Sequence, residues 1–200
     1  REGVSRNGEA LFPIMPWFMY RGLADEDAAA IIAYLRAQAP VHSFRPDREL
    51  DFPLNIVFRF YPRPLDGPVP MPARADTVAY GRYLTKIARC EFCHTRRASR
   101  GQLEPSPDRL LSGGVPFIMG ARTQYSKNLT PHPTGLGGWT REMFIGRFRL
   151  HTAPFPVREE DNSEMDWVAF SGMTDADLGA IWDYLRTLPP LETALLDRAD

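Results

Sequence analysis

The most constraining feature of this 200-residue sequence is a short motif that contains its only two cysteines. The motif reads Cys90-Glu91-Phe92-Cys93-His94, which is the C-x-x-C-H signature of c-type haem attachment. The spacing has a physical reason, because one helical turn can bring both thiols to the haem vinyl groups while the adjacent imidazole reaches the iron. We therefore expect one haem c, bound covalently through Cys90 and Cys93, with His94 as an axial ligand.

Three other chemistries use a closely spaced cysteine pair. A structural zinc site needs four ligands, and His42, His132 and His151 do not supply a second pair at the usual spacing. A thioredoxin-like motif follows a strand of a βαβ unit, whereas the residues before Cys90 have helical periodicity. A disulfide across two intervening residues closes a loop too short to stabilise the fold much. Haem attachment is favoured, and the three alternatives stay open.

The second axial position decides between electron transfer and small-molecule chemistry at the iron. Met165 is the favoured ligand, because it is the only apolar residue of a polar loop and precedes a helix that already has its own apolar stripe. Methionines beside helical apolar faces, such as Met143 and Met173, more often fill a core. The other candidates are Met119, His132, Met143, His151 and Met173, and an open position is the further alternative.

An internal repeat supports Met165 independently. At an offset of 150 residues, segment 15–40 matches segment 165–190 at 11 of 26 positions, which indicates a duplicated unit. Met15 occupies the place of Met165 in this alignment. Each copy ends in a predicted amphipathic helix with apolar residues at i, i+3, i+4 and i+7. These positions are Ala28, Ile31, Ile32 and Leu35 in the first copy, and Leu178, Ile181, Trp182 and Leu185 in the second.

The remaining pattern predicts an all-α fold in which helices are joined by long loops. A helix is expected over 76–89, with Gly81 at a place where a crossing helix could approach closely. Another is expected over 141–149, with Thr140 as its N-cap. Segment 95–127 has the composition of a loop. The Pro-rich segment 46–75 is expected to be an ordered linker, and its apolar stretch 54–61 is weakly indicative of a strand.

Residues 76–191 resemble a class I cytochrome c domain, with the haem motif near the first helix and a Met loop about 70 residues later. More closely, Asn128-Leu129-Thr130-Pro131 and the following Thr134-Gly135-Leu136-Gly137-Gly138-Trp139-Thr140 resemble a stretch of the multi-haem cytochrome c subunits of bacterial alcohol and gluconate dehydrogenases. The resemblance implies that Asn128, Thr130 and Trp139 line the haem pocket near the propionates. Turn residues and a core aromatic are the alternatives. Asp166 departs from the family, which has Pro there, and the change puts the stiffness of the Met loop in question.

The repeat predicts three segments. Residues 1–45 are expected to be the C-terminal part of a first cytochrome c repeat without its haem motif, and Met15 the orphan ligand of that missing haem. Residues 46–75 form the linker, and residues 76–200 the domain with one haem c. If the repeats have similar lengths, the first C-x-x-C-H would lie roughly 60 residues before Arg1. The alternative is a single-haem protein whose N-terminal segment packs on the haem domain.

One-electron transfer is the expected function. A net charge of -1 argues against a strong nucleic-acid footprint, and no apolar run approaches the roughly 20 residues of a membrane helix. No catalytic constellation is visible, so we expect an electron carrier and not an enzyme. The alternative is a haem enzyme or a gas or redox sensor with an open iron position. The resemblance implies a periplasmic location, at or near the outer face of the cytoplasmic membrane. It also implies redox partners: a dehydrogenase subunit, other cytochromes or a terminal oxidase of a respiratory chain.

Overall fold

A computed structural model describes residues 1–12, 15–44, 48–97, 106–152 and 163–193. The chain divides into two compact units, Arg1–Met71 and Pro72–Asp200. Across these described ranges, no helix combines the length and the apolar character that crossing a bilayer requires.

Within the described residues of the first unit there are two α-helices, α1 (Asp25–Arg36) and α2 (Leu54–Val57). A 3₁₀ turn, Trp17–Gly22, precedes α1, and another, Phe58–Phe60, follows α2. The expectation of a strand in segment 54–61 is therefore wrong. A strand needs a hydrogen-bonded neighbour, whereas this helical turn closes its own backbone bonds.

Backbone hydrogen bonds tie the Pro-rich segment of the first unit to the start of the chain. The amide of Asp25 donates to the carbonyl oxygen of Val69 at 2.9 Å, and the amide of Val69 donates back to the Asp25 carboxylate at 3.1 Å. The amide of Arg63 donates to the carbonyl oxygen of Glu2 at 3.0 Å. The segment is thus ordered by its main chain, although it has no long regular element.

The described part of the second unit contains five α-helices and a 3₁₀ turn, Pro107–Arg109. The structure confirms the helices that the sequence predicts at 76–89, at 141–149 and at the end of the second copy of the repeat. The five α-helices are α3 (Thr77–Ile87), α4 (Cys90–His94), α5 (Arg141–Arg149), α6 (Trp167–Ser171) and α7 (Asp175–Arg186).

Three of these helices begin at side-chain caps. The Asp76 carboxylate accepts the amide hydrogen of Ala79 at 2.9 Å and caps α3. The hydroxyl of Thr140 caps α5, and the hydroxyl of Thr174 caps α7 by accepting from the amide of Asp177 at 3.1 Å. Each cap satisfies an amide that the first turn leaves without an intrahelical partner. These helix starts are consequently fixed by local sequence.

The core of the second unit is the crossing of α3 and α7. A Cβ on Gly81 would overlap the carbonyl oxygen of Ala180, so only glycine allows the two backbones to come this close. The expected close approach at Gly81 is confirmed. Helices α5 and α6 complete the core with their aromatic side chains. Its buried members include Tyr80, Tyr83, Leu84, Phe144, Phe148, Leu178, Ile181, Trp182, Tyr184 and Leu185.

The expectation of an all-α chain needs one correction. Within the predicted loop 95–127, strands β1 (Pro116–Met119) and β2 (Arg122–Tyr125) form an antiparallel hairpin. Met119 pairs with Arg122, which leaves a two-residue turn whose first residue, Gly120, has φ +60°. Such turns match the twist of the strands and favour glycine. The fold is thus mostly helical with one small two-stranded sheet.

Candidate haem-attachment site

The two cysteines lie on one helical turn, as the motif predicts. Helix α4 begins after Arg89, whose positive φ of 63° separates it from α3. Both thiols are free and partly buried. Burial raises the pKa of Cys90 to about 12, and burial is also the main cause of the raised pKa of Cys93. These thiols are not activated thiolates, which distinguishes them from the cysteines of thiol-disulfide enzymes, whose pKa values are lowered.

His94 is held in the orientation and protonation state of a metal ligand. Its ring is buried, and its Nδ1 lies 2.7 Å from the carbonyl oxygen of Lys127. Because a carbonyl can only accept, Nδ1 carries the hydrogen and Nε2 keeps its lone pair. Burial lowers the pKa of His94 and favours this neutral form. A hydrogen bond of this kind fixes ring orientation in histidines that bind metals.

The loop that supplies Lys127 is itself tied to His94. The amide of Gly113 donates to the carbonyl oxygen of His94 at 2.7 Å. Gly113 has φ +73°, and a Cβ at this residue would lie 2.6 to 2.7 Å from backbone atoms of Ser126, Lys127 and Asn128. The loop therefore approaches His94 from two sides and depends on a glycine to do so.

These residues fit haem c. Two neutral thiols on one helical turn suit two thioether bonds, and an imidazole with a fixed Nδ1–H suits an iron ligand. Among the described residues, no group of three or more His, Cys, Asp or Glu side chains could hold a metal ion. The buried Nε of Arg89, next to Cys90, has no hydrogen-bond partner in the same ranges, which is consistent with a bound group on this side of α4.

Charges on both sides of Met165 in the sequence act on a thiol of α4. Burial is the largest cause of the raised pKa of Cys93; the charge of Arg89 lowers this pKa, whereas the charges of Asp166 and Glu164 raise it. Met165, between these two carboxylates, is half-buried. Its role as an iron ligand stays a prediction.

The Met165 loop turns tightly. The amide of Trp167 donates to the carbonyl oxygen of Met165 at 2.8 Å, and Asp166 between them has φ -74° and ψ 57°. This conformation is an inverse γ-turn. Met15 has the same arrangement, with a 2.7 Å bond from the amide of Trp17 and with Pro16 at φ -78° and ψ 49°. Asp166 therefore adopts the proline-like conformation without the ring.

The other candidate ligands have different surroundings. Met119 lies on β1 and Met173 between α6 and α7, both half-buried, whereas Met143 is 51% exposed and does not fill the core. The Nδ1 of His132 lies 2.9 Å from the Thr134 hydroxyl. His151 is buried at the end of α5 and stacks on Trp167.

Asn128 and Thr130 are buried in a network beyond the C-terminal end of α7. The Asn128 amide group donates to the carbonyl oxygen of Leu191 at 2.7 Å, and the Thr130 hydroxyl donates to the Asn128 side-chain oxygen at 2.8 Å. The amide of Leu191 in turn donates to the Thr130 hydroxyl at 3.2 Å. Trp139 is half-buried after the glycine turn. The network anchors the chain after α7, and a role of these three residues at the propionates stays a prediction.

Two elements of the site have no signal in the sequence pattern. The bond from His94 uses a main-chain carbonyl, which any residue at position 127 would provide. Ser163 accepts hydrogen bonds from the Trp167 indole at 3.1 Å and from the amide of Met165 at 3.4 Å. The only available hint was the recurrence of tryptophan at Trp17 and Trp167 in the two repeats.

Comparison with known proteins identifies relatives that cover most of the chain. It is 33% identical over 214 residues to the cytochrome c subunit of a quinone alcohol dehydrogenase from Gluconacetobacter polyoxogenes, an alignment that spans 96% of this chain and 43% of that protein. It is 30% identical over 217 residues to the gluconate 2-dehydrogenase cytochrome c subunit of Pantoea cypripedii, and 29% identical over 209 residues to the fructose dehydrogenase cytochrome subunit of Gluconobacter japonicus. These two alignments each cover 94% of this chain, and 45% and 39% of the respective relatives.

The chain spans about two fifths of the length of these curated relatives. No family model matches it. The relatives are named as cytochrome subunits of dehydrogenases, so the resemblance to such subunits is confirmed. The names also agree with the expectation of an electron-transfer subunit in place of a catalytic one.

Proposed function

We propose that this chain carries electrons for a dehydrogenase through one covalently bound haem c, with His94 and Met165 as the axial ligands. The observation that carries the proposal is α4, where two free thiols and a buried imidazole share one helical turn and Lys127 fixes the imidazole. When bound, haem c supplies a one-electron couple between ferric and ferrous iron. The names of the relatives support the same role.

Each residue of the site has a separate task. Cys90 and Cys93 each add a sulfur to one vinyl group, with the thiol hydrogen going to the other vinyl carbon. His94 offers the lone pair of Nε2, because Nδ1 is already bonded to Lys127. A Met165 thioether raises the reduction potential relative to a second imidazole. With both axial positions filled by side chains, little needs to reorganise when an electron enters or leaves.

We propose the same division of the chain that the repeat predicts. Residues 1–45 are the C-terminal part of another cytochrome c repeat, 46–75 the linker and 76–200 the domain with one haem. The matched turns at Met15 and Met165 support this division. So does the exposed apolar face of α1, since the equivalent face of α7 is covered in the second unit. Met15, which is 58% exposed, would then serve a different haem.

We also propose that a dehydrogenase subunit is the electron donor and another cytochrome or a terminal oxidase the acceptor. We propose that the protein acts in the periplasm or at the outer face of the cytoplasmic membrane, because bacteria that have proteins of this kind attach haem c there. Fractionation of the native host tests the location. Covalently bound haem of this protein should be found outside the cytoplasm, and recovery of holoprotein only from the cytosol would contradict the proposal.

Spectra of four proteins test the haem assignment: the wild type, Cys90→Ala/Cys93→Ala, Met165→Ala and the matched control Met15→Ala. The cysteine variant should lose all haem colour on extraction with acid acetone, because no thioether remains. Met165→Ala should lose the weak far-red Met-to-iron band and have a lower reduction potential, whereas Met15→Ala should keep both. An unchanged Met165→Ala spectrum would contradict Met165 as ligand. A high-spin wild type that binds carbon monoxide would favour the open-site alternative.

A further inference from the structure

Trp167 contacts the Met165 loop on both sides of the methionine. Its main-chain amide donates to the carbonyl oxygen of Met165 at 2.8 Å. Its indole Nε1–H donates to the hydroxyl of Ser163 at 3.1 Å, and the same hydroxyl accepts from the Met165 amide at 3.4 Å. The main chain and the indole of Trp167 together therefore close a small ring of bonds around Met165. The loop cannot shift without breaking at least one of them.

The Trp167 ring is in turn held by the end of α5. It stacks on His151 with ring centroids 4.6 Å apart and an angle of 13° between the planes. The Arg147 guanidinium lies 4.9 Å from its centroid, and the Phe148 ring lies 5.4 Å away. His151 and Phe148 are buried, and the Nδ1 of His151 lies 3.1 Å from the carbonyl oxygen of Arg147. The indole is thus fixed by a rigid helix end, and stacked aromatic pairs add to this restraint.

The first repeat lacks this arrangement although it shares the tryptophan. Trp17 is buried, but its ring packs against Gly3. A Cβ atom added to Gly3 would lie only 2.6 Å from the Trp17 indole ring. In the described part of the first unit, the indole Nε1–H has no hydrogen-bond partner. The residue equivalent to Ser163 is Pro13, which has no side-chain acceptor. The fixed indole is therefore specific to the second repeat.

We propose that Trp167 is a positioning residue for Met165: through Ser163 on one side and the platform of His151 and Arg147 on the other, it holds the thioether in place for ligation. This inference rests on the proposed role of Met165 as iron ligand. A ligand that is held by its loop competes better against external ligands, because less freedom is lost when the bond to iron forms. Trp167 therefore sets how readily the iron opens.

The test measures how tightly imidazole binds to the ferric holoprotein, since imidazole must displace Met165. Trp167→Phe keeps an aromatic ring on His151 but removes the indole N–H, and Ser163→Ala removes its acceptor. Each should tighten imidazole binding about fivefold, the effect of one neutral hydrogen bond on an equilibrium, and weaken the far-red band. Because Ser163→Ala already removes the bond from the indole, the double variant should not exceed Ser163→Ala by more than about twofold.

Trp182→Phe is the matched control, because Trp182 is a buried tryptophan whose ring packs on Phe144. It should lower the denaturant midpoint without changing imidazole affinity. A purely structural Trp167 would behave in the same way, so Trp167→Phe and Ser163→Ala with control-like imidazole affinity would overturn the inference. Met165→Ala separates the two proposals. If it removes the far-red band while the Trp167 variants have no effect, only the inference fails; if it changes nothing, both fail.

Discussion

Helices α1 and α7 have nearly the same apolar pattern but different surroundings. In α7, Leu178, Ile181 and Leu185 are 0%, 4% and 1% exposed. In α1, the equivalent Ile31 and Leu35 are 49% and 62% exposed, and no residue of the helix is buried. The pattern predicts which face of a helix is apolar. It does not specify what covers that face.

One arginine contact is nevertheless found at the start of the last helix in both repeats. Arg149 donates to the carbonyl oxygen of Met173 at 2.6 Å and to the Asp175 carboxylate. In the first repeat, Arg1 donates to the carbonyl oxygen of Leu23 and to the Asp25 carboxylate. The accepting residues are related by the same offset of 150. This arginine contact therefore occurs in both repeats, although the packing of the apolar helix face differs.

The largest expected effect comes from truncating the same leucine in both helices. Leu185→Ala should lower the free energy of unfolding by about 2–5 kcal/mol, because it leaves a cavity under α7. Leu35→Ala should change it by less than about 0.5 kcal/mol, since the side chain is already in water. Denaturant unfolding of the full chain, followed by far-UV circular dichroism, measures both. Equal losses would mean that the face of α1 is covered in solution.

The second-largest effect is expected at Gly81, where α3 crosses α7. Gly81→Ala should destabilise the second unit by about 1–3 kcal/mol or more, because the added methyl group meets the backbone of Ala180. Gly146→Ala in α5 is the control: nothing lies within 4 Å of its Cβ position, and alanine in a helix interior should stabilise by about 0.5–1 kcal/mol. Thermal unfolding of the two variants should move in opposite directions. A tolerated Gly81→Ala would refute the close crossing.

Features of the fold that depend on neighbouring residues could be predicted from the sequence, whereas features that depend on distant residues could not. The helix that starts after Thr140 was predicted with its cap, because a cap and its amide lie within one turn. The cysteine and histidine spacing predicted a helical turn for the same reason. The Lys127 carbonyl that fixes His94 could not be predicted, since it comes from 33 residues away and any side chain could stand there.

The hairpin was missed, and segment 54–61 was wrongly expected to be a strand, for related reasons. Strands β1 and β2 have only four residues each, too short for an alternating pattern to stand out against the surrounding prolines. An apolar run of eight residues fits a strand or a helix equally well by periodicity. Whether such a segment becomes a strand depends on whether another strand lies beside it to accept and donate backbone hydrogen bonds.

The third prediction uses the arginine that joins α5 to the start of α7. Arg149 bonds to the carbonyl oxygens of Ser171 and Met173 and to the Asp175 carboxylate. Arg149→Lys keeps the charge but loses the planar guanidinium, whose separate N–H groups reach the three acceptors. We therefore expect the free energy of unfolding to fall by about 1–2 kcal/mol. The exposed Arg36→Lys is the control and should change little. Equal stability of the two variants would show that charge alone matters at Arg149.

The smallest effect is expected at Asp166, where the repeats differ within an otherwise shared turn. The backbone of Asp166 at φ -74° already matches Pro16 at φ -78°, and the first repeat shows that the turn accepts proline. Asp166→Pro should therefore stabilise by about 0.4–1 kcal/mol, because proline restricts the unfolded chain without straining the folded one. Thermal unfolding of the holoprotein measures the gain.

Asp166→Asn removes the negative charge without introducing a proline ring. It therefore separates the effect of the charge from the effect of the restricted φ angle. The Asp166 carboxylate disfavours the thiolate of Cys93, so both variants alter the electrostatics near α4, whereas only the proline variant restricts φ. A gain in stability confined to Asp166→Pro, together with slightly weaker imidazole binding, would show that the Met165 loop retains freedom that Pro16 removes from the first repeat. A loss of stability in Asp166→Pro alone would mean that the amide of Asp166 makes a bond the loop needs, and that the two turns differ in more than the ring.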